Sequence, residues 1–305
     1  MKIRSLTNAA VMLSMYMLLF VLYNMGVFPT IMSILLPIPI IIYSVTVGRI
    51  RDILLLCIGC FCGTFLFGSI YGVITTLNYG VMGTIIGIGM VKSWPYWQRI
   101  LNAVIISVLS FPITIYFVSG LNVKESVTQM TGEIEVMIQS IANTLPSDYT
   151  AIIEELQRSI DLMATLFPTI VILMGTMSVF LSDTVAILIL KKLGISPLKF
   201  KKQNIHNIQV GPTLIIVLVI GQLIKTVLSI PTVDYILINV MAIINMLYVL
   251  QGIIVILLYF KSRSKIGLGI LTVILMLLLG FSIFIEMLGI MDAFFNYRDK
   301  LVLEN

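Results

Sequence analysis

Charge is what this chain has least of. Only 11% of its 305 residues are charged, while 59% are hydrophobic. A soluble domain carries roughly 25% charged residues, so a water-facing surface cannot be assembled from this composition, and an integral membrane protein is implied. Histidine occurs once, at His206, in a basic stretch with no nearby ligand set. The three cysteines, Cys57, Cys60 and Cys62, crowd one apolar run with no second cluster to pair with. That excludes a disulfide framework, and they read as small apolar residues rather than metal ligands. No Gly-rich phosphate loop with its Lys is present, nor a His-Glu-x-x-His or Gly-x-Ser-x-Gly pattern. Nucleotide hydrolysis, zinc-protease chemistry and serine-hydrolase chemistry therefore have no visible constellation. No enzyme activity and no cofactor is expected.

What is present is a succession of apolar runs. Counting those of about twenty residues gives nine candidate spans: roughly 6–26, 30–47, 53–70, 72–91, 100–119, 164–190, 212–230, 235–260 and 266–291. The fold class expected is an all-α integral membrane protein. Spans three and four meet so tightly at Tyr71-Gly72 that their separation is the weakest point of the count. The net charge of +5 does not indicate nucleic acid, because the basic residues are spread through short loops between apolar runs. Fourteen of the 19 fall on one side of a nine-span arrangement, from Lys2 and Arg4 through Arg49, Arg51, Lys92 and Arg99 to the Lys191–Lys202 and Lys261–Lys265 loops. Basic loops stay cytoplasmic. The expectation is an N-terminus inside, a C-terminus outside, and a first span retained as a helix.

Asn122 to Met163 is the long polar run and holds much of the acid. Val127, Met130, Ile134, Met137, Ile138, Ile141 and Leu145 recur at helical spacing. Asn122 with Glu125 reads as a capping box, and Leu145-Pro146-Ser147-Asp148 as a break and a new cap. Ile152, Ile153, Leu156, Ile160 and Met163 mark a second helix. The expectation is an extracytoplasmic amphipathic hairpin. Regions of 1–120, 121–163, 164–291 and 292–305 follow: five spans, hairpin, four spans, and an outer tail.

Three ionisable residues fall inside apolar spans, and such residues face a partner or a cavity. Lys225 and Glu286 stand about 9 Å from the outer ends of spans seven and nine at 1.5 Å per residue. They are expected to pair. Gln222, one turn from Lys225, and Asn245 on span eight add polar groups to this candidate binding site. Asp183, a further candidate binding residue, shows no partner at its depth. Gly83-x-x-x-Gly87 is a small-residue face for close helix packing. Trp94, Tyr96 and Trp97 are membrane-interface anchors.

The order Leu6-Thr7-Asn8-Ala9-Ala10-Val11-Met12-Leu13-Ser14, Leu36-Pro37-Ile38-Pro39 and Gly48-Arg49-Ile50-Arg51-Asp52 resembles the substrate-binding S components of energy-coupling-factor (ECF) transporters. The resemblance covers about residues 5–119, with span six as a possible sixth helix. It implies that Ala10 and Ser14 face a coupling subunit. A second, more specific likeness spans the whole chain and is carried in its later part by Leu190-Lys191-Lys192-Leu193-Gly194, Leu250-Gln251-Gly252, Gly289-Ile290-Met291-Asp292 and Asn296-Tyr297-Arg298. Through them the chain resembles the YybS-like family of uncharacterised bacterial membrane proteins, which implies the bacterial cytoplasmic membrane and its lipid bilayer as the setting. Two functions fit. One is a transporter-like protein that binds a small molecule in its bundle and takes energy from a partner. The other is a membrane scaffold or regulator that recruits proteins through the hairpin or the basic inner loop.

Overall fold

The computed structural model describes residues 3–119, 123–142, 150–195, 210–228 and 230–298. All regular structure among them is helical. Seven helical segments are long and apolar enough to cross a membrane: Ser5–Asn24, Pro29–Val47, Ile50–Phe67, Ile70–Val91, Tyr96–Phe117, Phe167–Lys192 and Pro231–Ser262. Nine were expected. The other two candidates correspond to shorter apolar helices, Thr213–Val227 and Ile266–Leu278. Thirteen residues of helix reach only about 20 Å, less than the roughly 30 Å hydrocarbon core.

The chain forms two compact units, Met1–Lys201 and Lys202–Asn305. The first contains α1 (Ile3–Asn24), α2 (Pro29–Leu35), α3 (Ile38–Val47), α4 (Ile50–Thr75), a π-helical turn (Thr76–Gly80), α5 (Val81–Val91), α6 (Tyr96–Ser119), α7 (Val123–Ala142), α8 (Thr150–Thr165) and α9 (Phe167–Lys192). The sequence grouped span six with the later spans. In the structure its helix, α9, packs on α2, α3 and α6 of the first unit.

Prolines set the breaks. Pro37 lacks the N–H that would continue α2, and α3 restarts at Ile38. Ending α2 at Leu35 leaves its last carbonyls without intrahelical donors. Ser182 of α9 fills one of them, donating to the Ile34 carbonyl at 2.9 Å. The doubtful boundary between spans three and four is real. The Gly72 backbone lies against the Thr64 carbonyl, and the Thr64 and Thr76 hydroxyls are 2.8 Å apart. Twelve residues of straight helix would separate them by about 18 Å, so α4 doubles back between Thr64 and Gly72.

The small face of α5 does what small faces do. Gly83 abuts the backbone of Pro37, and Gly87 abuts Ser44, which brings α5 and α3 into close contact. Ile38, Ile41, Ile42, Met82, Ile86, Met90 and residues of α6 and α9 then bury one continuous core. Helices α7 and α8 pack on each other, burying Ile138 and Ile160. The expected cap at Asn122 and the break at residues 145–148 lie outside the described residues. Cys57 and Cys60 are buried and Cys62 is exposed.

The second unit contains α10 (Thr213–Leu228), α11 (Pro231–Ser262), α12 (Ile266–Leu278) and α13 (Ser282–Phe295). The expected ninth span is broken at Leu279-Gly280-Phe281, where Gly280 takes a φ of 77°. Both pieces nevertheless run back along α11. Gly269 meets Phe260, Gly252 meets Ile285, and Gly289 meets Tyr248.

Candidate functional site

The π-helical turn gathers neutral hydrogen-bonding groups inside the first unit. A π turn widens the helix by one residue and is often found at functional positions. Here it presents Thr76, Asn78 and Tyr79 to three neighbours. The Tyr16 hydroxyl of α1 donates to the Thr76 hydroxyl at 3.1 Å, and Thr64 of α4 joins the same pair at 2.8 Å. On the other side, the Asn78 amide donates to the Thr114 hydroxyl of α6 at 2.7 Å. The Ser110 hydroxyl donates to the Asn78 carbonyl oxygen. The Tyr79 ring packs edge-on against Tyr23 at 5.7 Å. Tyr16, Thr64, Thr76 and Ser110 are buried, while Asn78, Tyr79 and Thr114 are half-buried. Helices α1, α4 and α6 thus converge on one uncharged polar cluster. The sequence reading passed over it because single Thr, Asn and Tyr residues are unremarkable in membrane spans. Only the π register and the fold-back of α4 bring them together.

The second polar feature of this unit corrects an expectation. Asp183 does have a partner. Arg99, counted on sequence with the inner loop, lies in the first turn of α6 and is buried. Its Nε and Nη2 donate to the two Asp183 carboxylate oxygens, each at 2.9 Å. Both side chains are 1% exposed. The planar guanidinium fork matches a carboxylate in this two-bond geometry, which is why Arg suits a buried pair. Tyr96 lies 5.4 Å from the guanidinium carbon, ring face toward it, and the backbone of Gly89 packs against the Arg99 stem and Trp94. Tyr96 therefore does more than anchor an interface.

In the second unit the charged residue that matters is again an arginine. Arg298, expected in an outer tail, is buried and donates from Nε to Asp292 at 2.7 Å. Its backbone N–H donates to the other Asp292 oxygen at 3.0 Å, a turn made possible by Asn296 in the left-handed region at φ 48°. Gln251 donates to Asp292 at 2.8 Å and accepts from the Val210 N–H at 2.8 Å. The Tyr248 hydroxyl donates to the Gly211 carbonyl at 3.0 Å. Gln251-Gly252 of α11 and, about forty positions later, the segment from Gly289 through Asp292 to Arg298 form one knot.

The expected Lys225–Glu286 pair is not made. Tyr248 supplies a common level: its hydroxyl meets Gly211 at the start of α10, and its carbonyl lies against Gly289 of α13. Gly221 of α10 faces Leu237 and Met241, so α10 and α13 both run antiparallel to α11. Lys225 is fourteen residues after Gly211, whereas Glu286 is three residues before Gly289. They stand roughly 25 Å apart along the bundle. Equal depth requires an unbroken ninth span; the break at Gly280 shortens its advance along α11 and leaves Glu286 near the level of Gly252, which meets Ile285. Each of the two is half-buried, as is Asn245, and Gln222 is exposed. At such separation, mutational effects add. The combined cost of Lys225→Met and Glu286→Gln on thermal stability is expected to equal the sum of the single costs within about 0.5 kcal/mol. A larger coupling in a double-mutant cycle would restore the pair.

Ala10 and Ser14 lie on the exposed side of α1. Ser14 bonds back to the Ala10 carbonyl at 2.9 Å. No group of His, Cys, Asp and Glu suited to a metal occurs among the described residues.

No curated protein and no solved structure matches the chain. A family model does, along residues 12–293, from the middle of α1 to the end of α13. The matched stretch takes in the π-turn cluster, the Arg99–Asp183 pair, and Gln251 and Asp292 of the knot. With seven apolar helices of membrane-crossing length and a match over most of its length, this chain belongs to the family described as Predicted membrane protein (DUF2232).

Proposed function

We propose that this membrane protein is transporter-like and binds a small, uncharged polar molecule in its first unit, with a partner supplying energy. The observation that carries this reading is the hydroxyl and amide cluster around Thr76–Gly80, reached by α1, α4 and α6. Neutral donors and acceptors at a break in regular helix suit hydrogen-bond recognition. The six membrane-length segments of the first unit are consistent with an S-component-like bundle. Under the positive-inside rule the N-terminus is cytoplasmic and the cluster lies in the outer half of the membrane. In that arrangement α10 and the broken α12–α13 pair complete nine crossings, and the exposed Ala10–Ser14 face of α1 is free to meet a coupling subunit near the inner surface.

Mass spectrometry of the native protein, released from detergent with its bound small molecules, tests the reading. Thr76→Val with Asn78→Leu should weaken retention of the co-purified molecule at least tenfold. Two neutral hydrogen bonds of about 1 kcal/mol each would be lost, and about 1.4 kcal/mol is a factor of ten. Retention unchanged in a folded double variant would reject the site.

One observation favours a second reading, that of a scaffold. The hairpin leaves apolar side chains in the open, with Val136 67% and Met137 63% exposed. Leu162 and Met163 of α8 are exposed as well. Such a surface suits protein docking, and capture of a partner that is lost with Val136→Ser and Met137→Ser would support it.

A further inference from the structure

The turn between α3 and α4 holds a hollow of about 280 Å³ lined by Arg49, Arg51, Asp52 and Leu55. It is just below the roughly 300 Å³ at which small-ligand pockets begin. Its position is fixed by the spans around it. Pro29–Val47 ends and Ile50–Phe67 begins at this turn, so the hollow sits where the apolar segments meet the membrane surface. Tyr43, buried beneath it, directs its hydroxyl toward the Ser5 carbonyl near the start of α1.

The charges in the hollow are of both signs and are not matched to each other. Arg49 and Arg51 are exposed and form no ion pair with another described residue. Asp52 is only 6% exposed, and its Oδ2 accepts no hydrogen bond. A buried carboxylate oxygen without a donor is costly, and something that brings an N–H to it would relieve that cost. The two guanidiniums beside it favour a phosphate. Leu55, apolar and exposed, offers a wall toward the acyl region. A group with a phosphate and a primary ammonium a few ångströms apart satisfies all three features.

We propose that this hollow is a headgroup site for phosphatidylethanolamine: phosphate on Arg49 and Arg51, ammonium on Asp52. The primary ammonium carries three N–H donors. The quaternary ammonium of phosphatidylcholine has none to offer Asp52, and phosphatidylglycerol has no cation at all. The site therefore distinguishes lipids by the carboxylate, not only by the basic pair. It lies apart from the π-turn cluster and stands or falls independently of the proposed small-molecule function.

Delipidated full-length protein in detergent, titrated with the dihexanoyl forms of the three lipids and read by native mass spectrometry, tests it. The phosphatidylethanolamine form should bind at least tenfold more tightly than the choline and glycerol forms. Asp52→Asn should bring the ethanolamine-to-choline ratio within about twofold of unity, while Arg49→Gln with Arg51→Gln should weaken every lipid. Wild-type protein that binds the three lipids equally would overturn the proposal, whatever the folding of the Asp52 variant. So would an Asp52→Asn variant that keeps the preference. Free phosphoethanolamine should compete only weakly. Binding of it as tight as that of the lipid would assign the hollow to a soluble ligand and overturn the lipid assignment.

Discussion

Asp183→Leu alone should destabilise the protein by about 3–5 kcal/mol, because it removes the carboxylate counter-charge of a guanidinium in the interior. Arg99 is 1% exposed and spends two of its N–H groups on that carboxylate. Little water can reach it to replace what is lost. Arg99→Leu alone should cost less, since the remaining carboxylate can take a proton and become neutral. The double change, Arg99→Leu with Asp183→Leu, should recover most of the loss. A buried ion pair is seldom more stable than well-packed apolar side chains of similar volume. Thermal unfolding in detergent, followed by tryptophan fluorescence from Trp94 and Trp97, measures all three. Equal destabilisation by the double and the Asp183 single variant would mean that the pair is not an isolated unit. If the double variant is stable but fails to retain the small molecule proposed above, the pair serves function rather than folding.

Gly289→Ala should be the most damaging single-methyl change in the second unit, and Gly252→Ala should follow it. A Cβ on Gly289 would overlap the Tyr248 carbonyl, and one on Gly252 would overlap the Ile285 carbonyl. The obstacle in each case is backbone, which cannot swing aside as a side-chain end can. Helices α11 and α13 would have to separate. Separation breaks the Gln251–Asp292 bond at 2.8 Å and loosens the hold on Arg298. Overpacking costs about 1–3 kcal/mol and occasionally more, so about 3 kcal/mol is expected at Gly289. Gly267 supplies the control. It is helical, and nothing lies within 4 Å of where its Cβ would be. Gly267→Ala should be neutral or stabilising by up to about 1 kcal/mol, from helix propensity alone. Opposite signs at Gly289 and Gly267 are the expected result, and similar values at both would refute the close crossing.

Several features of this protein follow from composition and pattern alone. Helices in a membrane are forced by apolar length, because unpaired backbone groups cannot lie in hydrocarbon. The seven long segments, the proline break at Pro37, the small face at Gly83 and Gly87, and the amphipathic pair α7 and α8 are all local matters of side-chain type and spacing. The fragments around Gln251-Gly252, Gly289 to Asp292 and Arg298 are marked only by the family resemblance, not by composition or spacing.

Partnership was not legible, and the reason is geometric. A charge within an apolar run announces that it needs a partner, but not where that partner lies. Asp183 was assigned none because Arg99 was counted as a loop residue. A helix that begins four residues earlier than the expected span, at Tyr96, carries that arginine inward. Pairing Lys225 with Glu286 rests on depth, and depth is lost once a span is broken, as at Gly280. Errors of a few residues in register become errors of many ångströms along a helix. The polar cluster at Thr76–Gly80 was invisible for a different reason. One residue of π geometry and a reversal within α4 turn dispersed hydroxyls and amides into neighbours. Only the tertiary structure decides that, since the contacts that hold them join residues 12 to 60 positions apart.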